Sequence, residues 1–126
     1  MLPPDLNRPY VRRAELVEKL GAKAVYDGDG TVHVYIDQGF YTERFRIRLR
    51  LAEIDAPEIR GATGDEKLIA IKSRDRLYEL LSAGPFWIES VKKGPRGRWI
   101  AKIWLDDGTY VNDLMVKEGL AIYKEY

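Results

Sequence analysis

The chain has 126 residues, enough for one domain with a single core, and its 33% of charged residues balance to a net charge of only +1. Such a protein does not coat nucleic acid by overall charge, so any basic site must be local. It has no cysteine and one histidine, His33, which excludes disulfides, thiolate metal centres and a zinc site built on histidines, and leaves oxygen ligands for any metal.

Residues 1–11 hold three prolines and read as an irregular arm. They lack the apolar centre of a signal peptide, and no run of about 18 apolar residues suggests a membrane span. The expectation is a chain with no membrane partner, either cytoplasmic or the mature form of a secreted protein. In residues 12–20, Leu16, Val17 and Leu20 make a short helical stripe that Gly21 stops, with a strand as the other reading. Residues 1–21 are thus set apart as an arm with a possible short helix, and 22–126 as the domain. Residues 22–26 read as a short strand entering the turn Asp27-Gly28-Asp29-Gly30, with 31–36 as its hairpin partner.

The next stretch alternates strictly. Phe45, Ile47, Leu49 and Leu51 share one face of a strand, and Arg44, Arg46, Arg48 and Arg50 share the other. Taken alone, this pattern most often marks an edge strand guarded by charge. Here it runs into Asp55, Ala56, Pro57 and Glu58, so arginines and carboxylates arrive at one end of a sheet. Holding an anion next to a cation is what metal-assisted phosphoryl transfer requires. Unbroken alternation would put Asp55 on the core side, opposite Arg50, where an ionised carboxylate is very costly. A bulge or sharp twist is therefore expected between Leu51 and Ile54.

Thr63 and Glu66 have capping-box spacing before a helix over 65–82, with Ile69, Ser73, Leu77, Leu80 and Leu81 near one face. Strands are expected over 86–92 and 99–105, joined by the loop KGPRGR. A last helix covers 111–118, with Leu114 and Met115 inward and Gly119 as its stop. Trp87, Trp99 and Trp104 read as core or rim packing. The fold class is α+β, mainly β: a five-stranded OB-fold barrel with two to three helices, one of them between the third and fourth strands.

Four segments, YDGDGTV at 26–32, RLAEIDAPE at 50–58, GPRGRWIA at 94–101 and VNDLMVKEGLA at 111–121, together resemble a staphylococcal nuclease (thermonuclease) domain. The resemblance implies a calcium-dependent, sugar-nonspecific endonuclease that hydrolyses DNA and RNA to 3′-phosphate ends. It implies metal ligation by Asp29, Asp55 and the carbonyl of Ala56, with another divalent ion as an alternative to calcium. Gly30 is inserted relative to the family's DGDT turn, which leaves Asp27 and Asp29 as alternative ligands. Glu58 would orient or deprotonate the attacking water, Arg50 would grip the phosphate, and Arg98 would stabilise the transition state. Arg96 and Tyr123 would contact substrate, expected to be preferentially single-stranded and bound by a monomer. The alternative is a noncatalytic single-stranded nucleic-acid-binding module on the same barrel.

Overall fold

The computed structural model describes residues 11–28, 30–37 and 44–124. Their strands, in chain order, are β1 (Val11–Leu16), β2 (Val32–Ile36), β3 (Phe45–Leu51), β4 (Ile54–Asp55), β5 (Phe86–Lys93), β6 (Trp99–Trp104) and β7 (Ile122–Tyr123). Two α-helices complete the fold, α1 (Gly64–Ser82) and α2 (Val111–Lys117). Five strands close into a barrel in the order β1-β2-β3-β6-β5, while β4 and β7 form a separate two-stranded sheet. Only β3 and β6 pair in parallel within the barrel; its other pairings are antiparallel. The expected OB-fold barrel, mainly β with α1 between its third and fourth strands, is present.

Its first strand is not the expected one. Residues 12–20 do not form an α-helix; the strand reading holds for their first part, since β1 lies between β2 and β5, with Ala14 opposite both Ile36 and Phe86. Val11, Ala14 and Leu16 are buried there. So short a stretch makes a poor isolated helix, whereas as a strand it satisfies the hydrogen bonds of two neighbouring edges. The barrel thus begins upstream of residue 22. Of the residues expected as a strand over 22–26, residues 22–24 instead belong to short 3-10 turns at Glu18–Ala24, broken by Gly21 at φ 54°. Only Val25 bridges to Val32.

The core is filled by Val34, Leu49, Leu51, Phe86 and Ile103 from the barrel, Leu77 and Leu81 from α1, and Val111 and Met115 from α2, none more than 1% exposed. Helix α1 buries Ala70, Ser73, Leu77 and Leu81, a stripe at helical spacing. Ile69, expected on that face, is 41% exposed instead. The Thr63 side chain makes no capping bond, so the expected capping box is not made. Trp104 is buried and Trp87 and Trp99 are partly buried, as rim and core packing requires. Among the described residues no helix is long and apolar enough to cross a membrane.

Candidate nuclease site

Three separate stretches converge on one side of the barrel, each held by a specific backbone device. The first is the turn before β2. The Tyr26 N–H donates to the Thr31 carbonyl at 3.0 Å, and Gly28 packs against α1 so closely that an added Cβ would lie 1.7 Å from Ser73 Oγ. Only glycine permits that approach. It seats Asp27 inward, 7% exposed, with Oδ1 accepting the Ile59 N–H at 3.2 Å. Burial raises the Asp27 pKa above the ordinary carboxylate value, Glu58 adds to the rise, and the Ile59 N–H, Arg74 and Arg98 oppose it. Asp29 lies outside the described residues.

The second stretch is the end of β3. The strand stops at Leu51, and Ala52 and Glu53 form a turn with Glu53 at φ 69°. The expected break in parity is therefore present. Ile54 is fully buried, and Asp55 Oδ1 lies 3.5 Å from the Arg50 guanidinium. Arg50, itself 7% exposed, also donates to the Ile54 carbonyl at 3.3 Å. The turn is pinned by Asn112 at the start of α2. Its Nδ2 donates to the carbonyls of Ala52 at 2.8 Å and Ala101 at 3.1 Å, and its Oδ1 accepts the Ile103 N–H at 3.1 Å. β4 is then paired by β7, and the Lys124 N–H donates to the Glu53 carbonyl at 2.7 Å. That places Lys124 Nζ 3.7 Å from Asp55 Oδ2.

The third stretch is the β5–β6 loop, a 3-10 turn at Pro95–Gly97 in which Arg96 adopts φ 63°. Its fold is held by the Gly94 N–H donating to the Arg98 carbonyl at 2.7 Å, and by Arg48 donating to the Arg96 carbonyl. The Arg98 Nε donates to the Pro95 carbonyl at 3.4 Å.

Together they line a cleft of about 620 Å³ that contains Asp27, Arg50, Asp55, Glu58, Arg96 and Arg98. Arg60 and Lys124 also line it. Ala56 is buried and lines an adjoining hollow with Asp55, Glu58 and Glu66. Tyr123 is exposed and does not line the cleft. Lys124 carries no local sequence signal, because its place depends on a two-residue pairing between β4 and β7. Arg60 follows Glu58 closely, and Asn112 stands out as an amide at a position that must face the core.

The donors here are carboxylate and carbonyl oxygens, which suit a hard cation. Among the described residues no three histidine, cysteine or acidic side chains gather tightly enough to hold a metal ion. The buried Asp27 carboxylate, incompletely compensated by one N–H donor and two more distant arginines, is nonetheless a charge that a bound cation would offset.

A family model described as staphylococcal nuclease homologue matches residues 48–126, more than half of the chain. The chain is also 30% identical over 103 residues to proteins named uncharacterized endonuclease from Escherichia coli O157:H7 and from Escherichia coli. Each match covers 81% of this chain and 59% of the relative, so the chain spans about three fifths of the length of the relatives it matches. With a closed OB-fold barrel whose cleft holds the paired arginines and carboxylates, the chain belongs to the staphylococcal nuclease homologue family.

Proposed function

We propose that the protein is a metal-dependent endonuclease that hydrolyses phosphodiester bonds of DNA and RNA. The observation that carries this reading is the cleft itself, where Arg50, Arg96 and Arg98 face the same space as Asp27, Asp55 and Glu58. Guanidiniums bind a phosphate through forked donors, and charge developing on its oxygens strengthens those bonds. Arg50 is held from behind by the Ile54 carbonyl and Asp55, so it offers phosphate a fixed donor. Arg98 projects from a loop and completes the grip. Glu58 is exposed in the cleft, where its carboxylate takes a proton from the attacking water. Contacts to phosphate alone carry no sequence information, which fits an enzyme that cuts DNA and RNA alike; 3′-phosphate ends follow if the water oxygen bonds to phosphorus as the P–O5′ bond breaks and the 5′-oxygen leaves with a proton.

Calcium, or another divalent cation in its place, would be held by Asp55 and the Ala56 carbonyl with Asp27 or Asp29. Such an ion supplies charge neutralisation at the scissile phosphate and polarises water.

The test is incubation of the full chain with plasmid, single-stranded DNA and RNA, in calcium, in other divalent ions and in chelator. Cleavage that needs a divalent ion and falls at least a hundredfold in Asp55→Asn supports the reading. Binding of single strands without cleavage in any ion would replace it with the noncatalytic module.

A further inference from the structure

A second basic surface lies on the other side of the β5–β6 hairpin from the cleft. β3 pairs with β6 only at Leu49, Arg50 and Leu51, so the first half of β3 runs past the hairpin without laddering to it. Between them is a groove of about 420 Å³ whose walls include His33, Phe45, Arg46, Arg48, Lys93 and Trp99. No carboxylate among the described residues lines it. Among the described residues Arg46, Arg48 and Lys93 enter no ion pair, whereas Arg13, Arg44, Arg50, Arg74 and Arg76 all do. In a chain of net charge +1, this is a local concentration of positive charge.

Each cation is placed rather than loose. Arg46 lies 3.2 Å from His33 Nδ1, and Arg48 donates to the Arg96 carbonyl. Lys93 Nζ lies 5.7 Å from the centre of the Trp99 ring. Burial lowers the His33 pKa, as do Arg46 and Arg48, which keeps the ring neutral and able to accept from Arg46. Phe45 is 58% exposed and Trp99 is partly exposed, so aromatic surface faces the same groove as the cations. Cations without counter-charges beside open aromatic rings suit phosphates and unstacked bases together. A duplex hides its base faces from such rings.

We propose that this groove is a second binding site for single-stranded nucleic acid, which takes up the strand as it passes around the hairpin loop from the cleft. The loop links the two: Gly94, Pro95, Arg96 and Arg98 line the cleft, while Lys93, Gly97 and Trp99 line the groove. The direction of the strand rests on the proposed nuclease reading; the groove as a site rests on its own cations and rings.

Binding is measured in chelator by fluorescence anisotropy of a labelled oligothymidylate of about twelve nucleotides over a range of salt. The double variant Arg46→Ala/Lys93→Ala is expected to bind roughly tenfold more weakly than wild type, with a log–log salt slope shallower by about 1.4, as losing two single-strand phosphate contacts implies. Titration of the unlabelled oligomer is expected to quench tryptophan emission in wild type and much less in Trp99→Phe. Unchanged affinity and slope in the double variant would overturn the site, and so would an equal loss on blunt duplex DNA, which assigns the cations to backbone contact alone. Wild-type cleavage in divalent ion is read separately. Cleavage with variant-insensitive binding sinks the groove and keeps the nuclease, and variant-sensitive binding without cleavage does the reverse.

Discussion

Arg50 and Arg98 carry the same charge in different surroundings, and the proposed cleavage would use them differently. Arg50 is nearly buried and tied to Asp55 and to the Ile54 carbonyl, whereas Arg98 sits on a loop and is held by its Nε to the Pro95 carbonyl. A lysine at position 98 keeps the charge and loses the planar fork that spans two phosphate oxygens. Arg98→Lys is therefore expected to lower turnover by about a hundredfold or more, with binding of uncleaved strands in chelator changed far less. Near-normal turnover would reduce Arg98 to a surface charge. His33 makes a different prediction. Its folded pKa lies below the free value of 6.5, because of burial first and then Arg46 and Arg48. Below that value the unfolded chain takes up the proton more readily than the folded one, so the contribution of His33 to stability falls as pH drops from about 6.5 through the lower folded pKa. Urea unfolding at pH values above and below this window is expected to show a smaller acid loss in His33→Gln than in wild type. Equal losses would show that His33 titrates as it does in the unfolded chain.

At the scale of elements, the site depends on a turn that departs from its strand. Parity alone demands a break between Arg50 and Asp55, and the turn at Ala52 and Glu53 is that break. What holds the turn is less local: Asn112, buried at the start of α2, bonds to Ala52, Ala101 and Ile103 at once. Replacing it with alanine leaves the Ala52 carbonyl and the Ile103 N–H buried without that partner, each a desolvation loss of about 1–3 kcal/mol partly relieved by water entering the space, while the Ala101 carbonyl keeps the Ala52 N–H. Asn112→Ala is expected to lower stability by about 2–4 kcal/mol in urea unfolding, against the fractions of a kcal/mol typical of a surface change. A loss below about 1 kcal/mol would mean the turn holds without it. The same contrast explains what was legible in the residues. The alternation of β3 and the periodicity of α1 are local patterns, and they locate those two elements. The motifs locate Arg50, Asp55, Glu58, Arg96 and Arg98, which do share one cleft. β1 carries no clear period, because its strand form is decided by the two edges it joins, and Lys124 reaches Asp55 only through the pairing of β4 with β7.

For the whole molecule, the segment recognised by similarity and the unit that folds are different lengths of chain. The family model covers residues 48–126, and the domain read from the residues alone begins at 22, yet the barrel is closed by β1 at Val11–Leu16. Removing β1 opens the barrel between β2 and β5, strips two edges of their ladder partner, and uncovers Phe86 and Ile88, both buried in the complete protein. It also deletes the buried side chains of Val11, Ala14 and Leu16. At about 1.5–3 kcal/mol for each larger apolar side chain buried, together with the newly exposed neighbours, the loss approaches the roughly 5–15 kcal/mol that holds an ordinary domain folded. A chain starting at residue 22 is therefore expected to lack the cooperative thermal transition and the near-ultraviolet circular dichroism of packed tryptophans. A chain starting at residue 11 is expected to retain both. Calorimetry and circular dichroism of the two truncations decide the matter: cooperative unfolding of the shorter one within a few degrees of the full chain would show that β1 only covers a barrel already complete without it.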